Sequence, residues 1–576
     1  MNFRVVHFCF LGALCVSVVS AFSLEREAFA FANYDLNVQV EPEQHRLAVR
    51  GRVALRNDSS QPQKTAILQI SSSLDWRSVK AGEKPLQFVS QIYTSDLDHT
   101  GALSEAIVSL PQVVVPKGTF ELEIAYEGVV PLDTTRLTRI GTPEAAARTT
   151  DWDQISSKFT AVRGAGYVAW YPIATEAANL SDGNSMFDTL GRWKRREADS
   201  QVQLHVNVLR ESVGAPPEII LNTAGCRRTS PPEGQGQLVG AECAFQPLGQ
   251  TIPAFVIASY SLLNRGIVSM HCWTEHKSAA ESFAEATDKV LPLIINWFGP
   301  PRAKAEVVEL PDSAAVPFES GNLLLTPLGD DLKLAQISLA HALTHAAFTS
   351  PRPWIHEGLA HFMQALYLEQ TSGRQTALDY MGLHRSAFLD AERPDFAPRS
   401  EDATDHSLLN TASEELYRGK AMYVWWMLRD MVGEPALKKA LAGYHPEQDK
   451  DPSHLPRLIA AQTRRDLEWF FDDWVYRDRG LPDFRVASAF PRKMLSEGYM
   501  VTVTVENLGG AGAEVPVTVR FDGGEVTKRL EVRGKNKGVI RMEVPAAPRE
   551  VIVNDSSVPE SDTANNTFKL QADDSK

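Results

Sequence analysis

The sequence predicts an α+β protein of several domains: an antiparallel β domain over residues 22–265, a mostly helical domain over 266–482 and a β-sandwich over 483–570. Three observations carry this expectation. Between Tyr34 and Leu263, runs such as YDLNVQV, LAVRGRVALRN, FELEIAYEG and VQLHVNVL alternate apolar and polar residues over strand lengths, cut by breakers such as Pro116-Lys117-Gly118. After Gly266 the apolar residues fall at helical spacing in segments 277–298, 331–347, 354–371, 413–432 and 455–476. Beyond Pro482 the alternation returns in YMVTVTVEN, VPVTVRFDG and GVIRMEV, separated by Gly509-Gly510 and Asp522-Gly523-Gly524. A chain of 576 residues has ample length for such an arrangement.

The ends read differently from the body. MNFRVVHFCFLGALCVSVVSA has a positive start at Arg4, an apolar run from Phe8 to Val19 and small residues around Ser20 and Ala21, the form of a secretory signal peptide over 1–21. A membrane anchor is the alternative, but the run is shorter than the ~20 residues a spanning helix needs. Cleavage after Ala21 leaves no stable membrane span and implies export to a periplasm or the outside medium. Residues 571–576, QADDSK, read as a solvated tail.

Composition narrows the function classes. The net charge of -14 is spread along the chain, which argues against a nucleic-acid-binding surface. Of the five cysteines, Cys9 and Cys15 leave with the signal, while Cys226 and Cys243 flank a Gly/Pro-rich loop between two strand-like runs. These two can bridge in an oxidising compartment, or they and Cys272 stay unpaired; spacing does not decide. Oligomeric state is not written in the sequence.

The chemistry-bearing pattern lies in the helical domain. His341-Ala342-Leu343-Thr344-His345 sets two imidazoles one helical turn apart, so both can face one ion. After the turn Ser350-Pro351-Arg352-Pro353, a second helix opens with Trp354-Ile355-His356-Glu357-Gly358 and puts Glu357 in its first turn. A hairpin of two such helices brings together a His₂Glu set with a fourth position open, the composition of a catalytic zinc site.

With these residues in view, the chain resembles the gluzincin zinc peptidases, and in layout the membrane alanyl aminopeptidase family. That family has an HExxH helix carrying two zinc ligands and the general base, then a W-x-N-E-G-x-A helix carrying the third ligand, which Trp354 to Ala360 matches closely. Leu416-Tyr417-Arg418-Gly419-Lys420 resembles its Y-x-K-G segment, whose tyrosine stabilises the oxyanion, and Val316-Pro317-Phe318-Glu319-Ser320 stands where its GAMEN strand binds the substrate's amino group. The resemblance implies a thermolysin-like fold for the helical domain, one zinc ion on His341, His345 and Glu357, Tyr417 facing a peptide carbonyl, and Glu319 receiving a peptide or protein N-terminus. Read from the residues alone, Tyr417 is equally a core side chain beside Trp425 and Trp426, Glu319 an exposed loop carboxylate, His356 a polar partner at a helix start and His361 a packed surface histidine. The stretch from Asn554 to Asn566 resembles the closing region of Ig-like modules in bacterial exported proteins.

Two departures from the family pattern matter. Ala342 occupies the position of the catalytic glutamate, so the helix offers no group to take a proton, a loss of about 10²–10⁴-fold in a reaction of this kind. Residues 346–356 make a shorter connection between His345 and Glu357 than the about 18 residues of the aminopeptidases. The sequence therefore predicts a peptidase-like protein that is feeble or inactive, or one that uses the same groove to bind a peptide or partner without cleaving it.

Overall fold

A computed structural model describes residues 24–570, apart from 183–184, 210–215, 224, 230–237, 330, 393–406, 412, 478 and 496. The expected signal peptide and the tail lie outside the described residues. Among the described residues no helix is long and apolar enough to cross a membrane.

The N-terminal β domain is built on three sheets, the smallest made of Glu218–Leu221, Phe255–Ala258 and Thr160–Val162. Its eight-stranded sheet is centred on Phe29–Glu41, Arg46–Asn57 and Thr119–Val129, and a three-stranded sheet of Gln63–Ser71, Ala102–Val114 and Phe88–Thr94 packs on it. The alternation seen in the sequence works as expected: Leu36, Val38 and Val40 are fully buried while Asn37 and Gln39 face out. One pairing departs from the antiparallel expectation. Phe29–Glu41 runs parallel to Gln201–Leu209, with Leu36 opposite Leu204 and Val38 opposite Val206. A parallel pair needs a long crossover, and the intervening chain supplies it, including helix α1, Ser185–Glu197. A disulfide joins Cys226 to Cys243 on adjacent strands, and Cys272 is a buried free thiol.

The helical domain carries a sheet that the pattern reading missed. Ser261–Arg265, Val268–Cys272, Ala305–Glu309, Leu323–Thr326 and Phe318–Ser320 form five strands in spatial order, so the hairpin around Gly266 crosses the expected domain boundary. These strands are only three to five residues long, the inner three are largely buried, and runs such as LLLT show no alternation to read. The helices α2 (Lys277–Phe298), α3 (Leu332–Ala347), α4 (Pro353–Ser372) and α5 (Ala421–Val432) pack beside it. The expected long helix over 455–476 is broken into His454–Ala460, Glu468–Phe471 and a π-helical turn, Asp472–Tyr476, because the exposed polar run 462–466 lies between them. After it, two sheets of three and four strands share a valine core that includes Val501, Val503, Val517, Val519 and Val553.

Three local features set the α3–α4 hairpin. Asp331 caps α3 by accepting from the backbone N–H groups of Lys333 at 3.0 Å and Leu334 at 3.1 Å. Pro353 opens α4, where its missing N–H costs nothing. Gly358, next to Glu357, lets α5 approach: a Cβ there would lie 2.5 Å from the Ala421 Cβ. Trp354 stacks on Trp425 beside this contact, with ring centroids 5.5 Å apart, and the Trp425 indole donates to the Trp354 carbonyl at 3.2 Å. Gly358→Ala is therefore expected to destabilise the protein by about 1–3 kcal/mol through overpacking. Gly382→Ala, where an added methyl meets nothing within 4 Å, serves as the control and should not destabilise. Urea unfolding of the two variants checks this, and equal midpoints would contradict the tight helix contact.

Candidate metal centre

His341 and His345 face the same way from α3, as their four-residue spacing dictates, and their Nε2 atoms lie 3.0 Å apart. Across the hairpin the Glu357 carboxylate is 3.9 Å from Nε2 of His341 and 3.8 Å from Nε2 of His345. One donor atom from each of the three falls within 4.8 Å of the others. A zinc ion with bonds of about 2.0–2.1 Å holds its tetrahedral donors about 3.3 Å apart, so the set fits after a small inward movement of Glu357. The donor types also fit, being two neutral nitrogens and one carboxylate. What is absent is outer support: Nδ1 of both histidines lacks a hydrogen-bond partner among the described residues. Gln364 reaches toward His341 but is engaged by the Ile337 carbonyl and the Tyr380 hydroxyl. Such outer partners usually strengthen metal binding 10–100-fold, so a modest affinity is expected.

The three residues line a cavity of about 320 Å³ between the helical and N-terminal domains, together with Glu319, His356, His361, Glu414, Arg418 and Lys194. Tyr167 and the α1 residues Met186, Phe187 and Leu190 form its apolar wall. Glu319 reaches the site, with its carboxylate 3.3 Å from Nε2 of His341. Its strand is clamped from the N-terminal domain: the Trp152 indole donates to the Val316 carbonyl at 3.0 Å, and Phe318 meets Tyr167 edge to face at 5.5 Å. Arg163, paired with Asp153, lies over Trp152 at 3.8 Å and over Tyr167 at 3.5 Å.

Several expectations are corrected here. Tyr417 does not line the cavity; it is packed into the helical core, where its hydroxyl is turned toward Glu414. The reason is register. In Y-x-K-G the tyrosine stands three residues before the glycine, and in this chain Leu416 holds that position relative to Gly419, with Tyr417 one residue later. Arg418 faces the cavity instead, from a π-helical turn, Leu416–Lys420. His356 and His361 are neither a helix-start partner nor a surface histidine. Both line the cavity, His356 against the ring of His345 at 4.1 Å and His361 against that of His341 at 4.9 Å. Lys194, Glu414 and Arg418 are not among the expected site residues; Arg418 lies inside the segment that resembles Y-x-K-G with Glu414 one turn before it, and Lys194 belongs to the basic cluster ending α1. Ala342 is buried and its methyl stays out of the cavity lining.

The electrostatics follow from burial and from Arg418. Burial lowers His341 to about 4 and His345 and His356 to about 3, so all three are neutral near pH 7. Burial alone would raise Glu357, but Arg418, at 3.3 Å, and the neighbouring imidazoles hold it well below the usual carboxylate range. Burial would likewise raise Glu414, and Arg418 and Lys194 bring it down to about 2. For Glu319, burial and the nearby Glu357 carboxylate outweigh the pull of Arg418 and push it up to about 8.

No family model matches the chain, and no curated protein matches it. Among solved structures it is similar to an M1 zinc metallopeptidase from Deinococcus radiodurans, at 15% identity over 79% of this chain and 96% of the other, with a TM-score of 0.46. A mutant of an M1 zinc metallopeptidase from the same organism, bound to a Tyr-Ser-Ala substrate, is similar at 14% identity over the same shares, with a TM-score of 0.45.

The lowered imidazoles give a signed pH dependence. Their contribution to stability is full above 6.5 and is lost as pH falls to about 4 for His341 and about 3 for His345 and His356. Glu319 opposes this, contributing below 4.5 and losing its contribution as pH rises to about 8. Between 4.5 and 6.5 three imidazoles outweigh one carboxyl, so the unfolding midpoint of chelator-treated protein should drop as pH is lowered through that window. His356→Asn should shrink the drop, and a midpoint flat with pH would refute the assignment.

Proposed function

We propose that this chain is an exported, zinc metallopeptidase-like protein that binds peptides in the cavity beside His341, His345 and Glu357 and is feeble or inactive in cleaving them. The observation that carries this reading is the convergence of two imidazoles and a carboxylate from adjoining helices on one cavity, with alanine where a proton acceptor is needed. His341, His345 and Glu357 would hold one zinc ion, which when bound supplies Lewis-acid polarisation of a carbonyl. Arg418 keeps Glu357 ionised and in place. The β-sandwich at the C-terminus is taken as an immunoglobulin-like module, and the periplasm or the outside medium of a bacterium as the destination.

The missing proton acceptor is not replaced by another free carboxylate in the lining. Glu357 is given to the metal and lies 3.3 Å from Arg418, Glu414 pairs with Lys194 at 2.7 Å and with Arg418 at 3.1 Å, and Glu319, pushed up to about 8 by burial, is largely protonated near pH 7. That observation favours a second reading, in which the same cavity serves a non-catalytic scaffold for a peptide or protein partner.

Purified full-length protein is expected to hold about one zinc per chain, and His345→Ala to lose most of it. On a panel of aminoacyl and peptide substrates, Ala342→Glu should exceed the unaltered chain by up to about 10²–10⁴-fold, the usual worth of a positioned base. Zinc far below one per chain with no change in His345→Ala would remove the metal site. Zinc-dependent hydrolysis by the unaltered chain at an ordinary enzyme rate would remove the scaffold reading and the claim of impairment.

A further inference from the structure

The cavity's two cations have one committed carboxylate between them. Lys194 reaches from α1 and Arg418 from the π-helical turn, and both pair with Glu414, at 2.7 Å and 3.1 Å. Arg418 is also 3.3 Å from Glu357, yet its Nε and the Glu357 Oε2 are both buried and neither makes a hydrogen bond. The guanidinium N–H is therefore not aimed at that oxygen, and Glu357 is the carboxylate that the metal-site reading commits to an ion. With a divalent ion in place, Lys194, Arg418 and the ion face Glu357, Glu414 and Glu319, which leaves the lining positive even with every carboxylate ionised.

The group expected to receive an ammonium ion is poorly placed for it. Glu319 is turned to Nε2 of His341 at 3.3 Å, inside the histidine cluster. Along α1, by contrast, Met186, Phe187 and Leu190 lead to Lys194, so the same helix that lines the cavity with apolar side chains ends it with a cation. Arg418 lines the cavity with its side chain 36% exposed, and beside an apolar wall a planar guanidinium selects a carboxylate attached to an apolar side chain.

We propose that the cavity recognises the carboxy-terminal end of a peptide whose last side chain is apolar, through Arg418 and Lys194, rather than a free amino terminus. This rests on the metal-site reading above and assigns its ligand's polarity.

Isothermal titration of zinc-loaded full-length protein tests it with three probes: N-acetyl-L-phenylalanine, its amide, and L-phenylalaninamide. The acid should bind at least tenfold tighter than the acetylated amide, and the free amine no better than that amide. Arg418→Gln and Lys194→Gln should each erase most of the preference for the acid over the amide, and Arg418→Lys should restore part of it. Equal binding of acid and amide, tighter binding of the amine, or an acid preference untouched in both Gln variants would each overturn the proposal. Zinc content measured on the same samples separates the two failures: no zinc defeats the metal site, whereas zinc present without acid preference defeats only this inference.

Discussion

Two imidazole nitrogens held 3.0 Å apart at a cavity wall cannot both present idle lone pairs; they must share a proton or a cation. The backbone enforces this closeness, because α3 fixes the two histidines on one face and the five-residue connection 348–352 brings Glu357 back opposite them. Tight packing behind the site holds the geometry. Gly358 admits α5 at a distance no larger residue would allow, and Trp354, Trp425 and Trp426 fill the space around it without exposure. The site is thus the outcome of one helix pair and what presses on its back.

The N-terminal domain is more than an appendage to this arrangement. It supplies α1 to one wall of the cavity and holds the Glu319 strand through Trp152, Tyr167 and the stacked Arg163. Arg163 is almost fully buried, and its pairing with Asp153 and its two aromatic faces satisfy a charge that would otherwise be expensive to bury. The cavity therefore exists only where the two domains meet.

Much of the architecture could be read from periodicity, since alternation marked the outer sheets and helical spacing marked α2, α3 and α4. The buried five-stranded sheet escaped because its strands are short and apolar on both faces, a pattern that a helix segment shares. At the site, a four-residue spacing and a short turn were enough to find His341, His345 and Glu357, whose relation is local. For Tyr417 the residues allow a core side chain as well as a cavity one, and packing places it in the core. His356 and His361 carry no local sign of a cavity, which forms because the histidines of α3 pack against both. Arg418 and Glu414 are a local pair four residues apart, whereas Lys194 comes from a remote segment that only tertiary packing unites with them. Spacing left the cysteines open, and strand pairing resolves them, because Cys226 and Cys243 sit directly opposite each other.

The parallel pairing of Phe29–Glu41 with Gln201–Leu209 carries a consequence for how the chain is made. One flank of the first strand finds its neighbour, Arg46–Asn57, almost at once. The other flank keeps its amides and carbonyls bare until some 160 further residues have been synthesised, since Gln201 is the earliest point at which a mate exists. A long apolar strand with an open edge during that interval invites pairing with the wrong chain, so the N-terminal domain is the part of this protein most dependent on protection by other factors while it is being built.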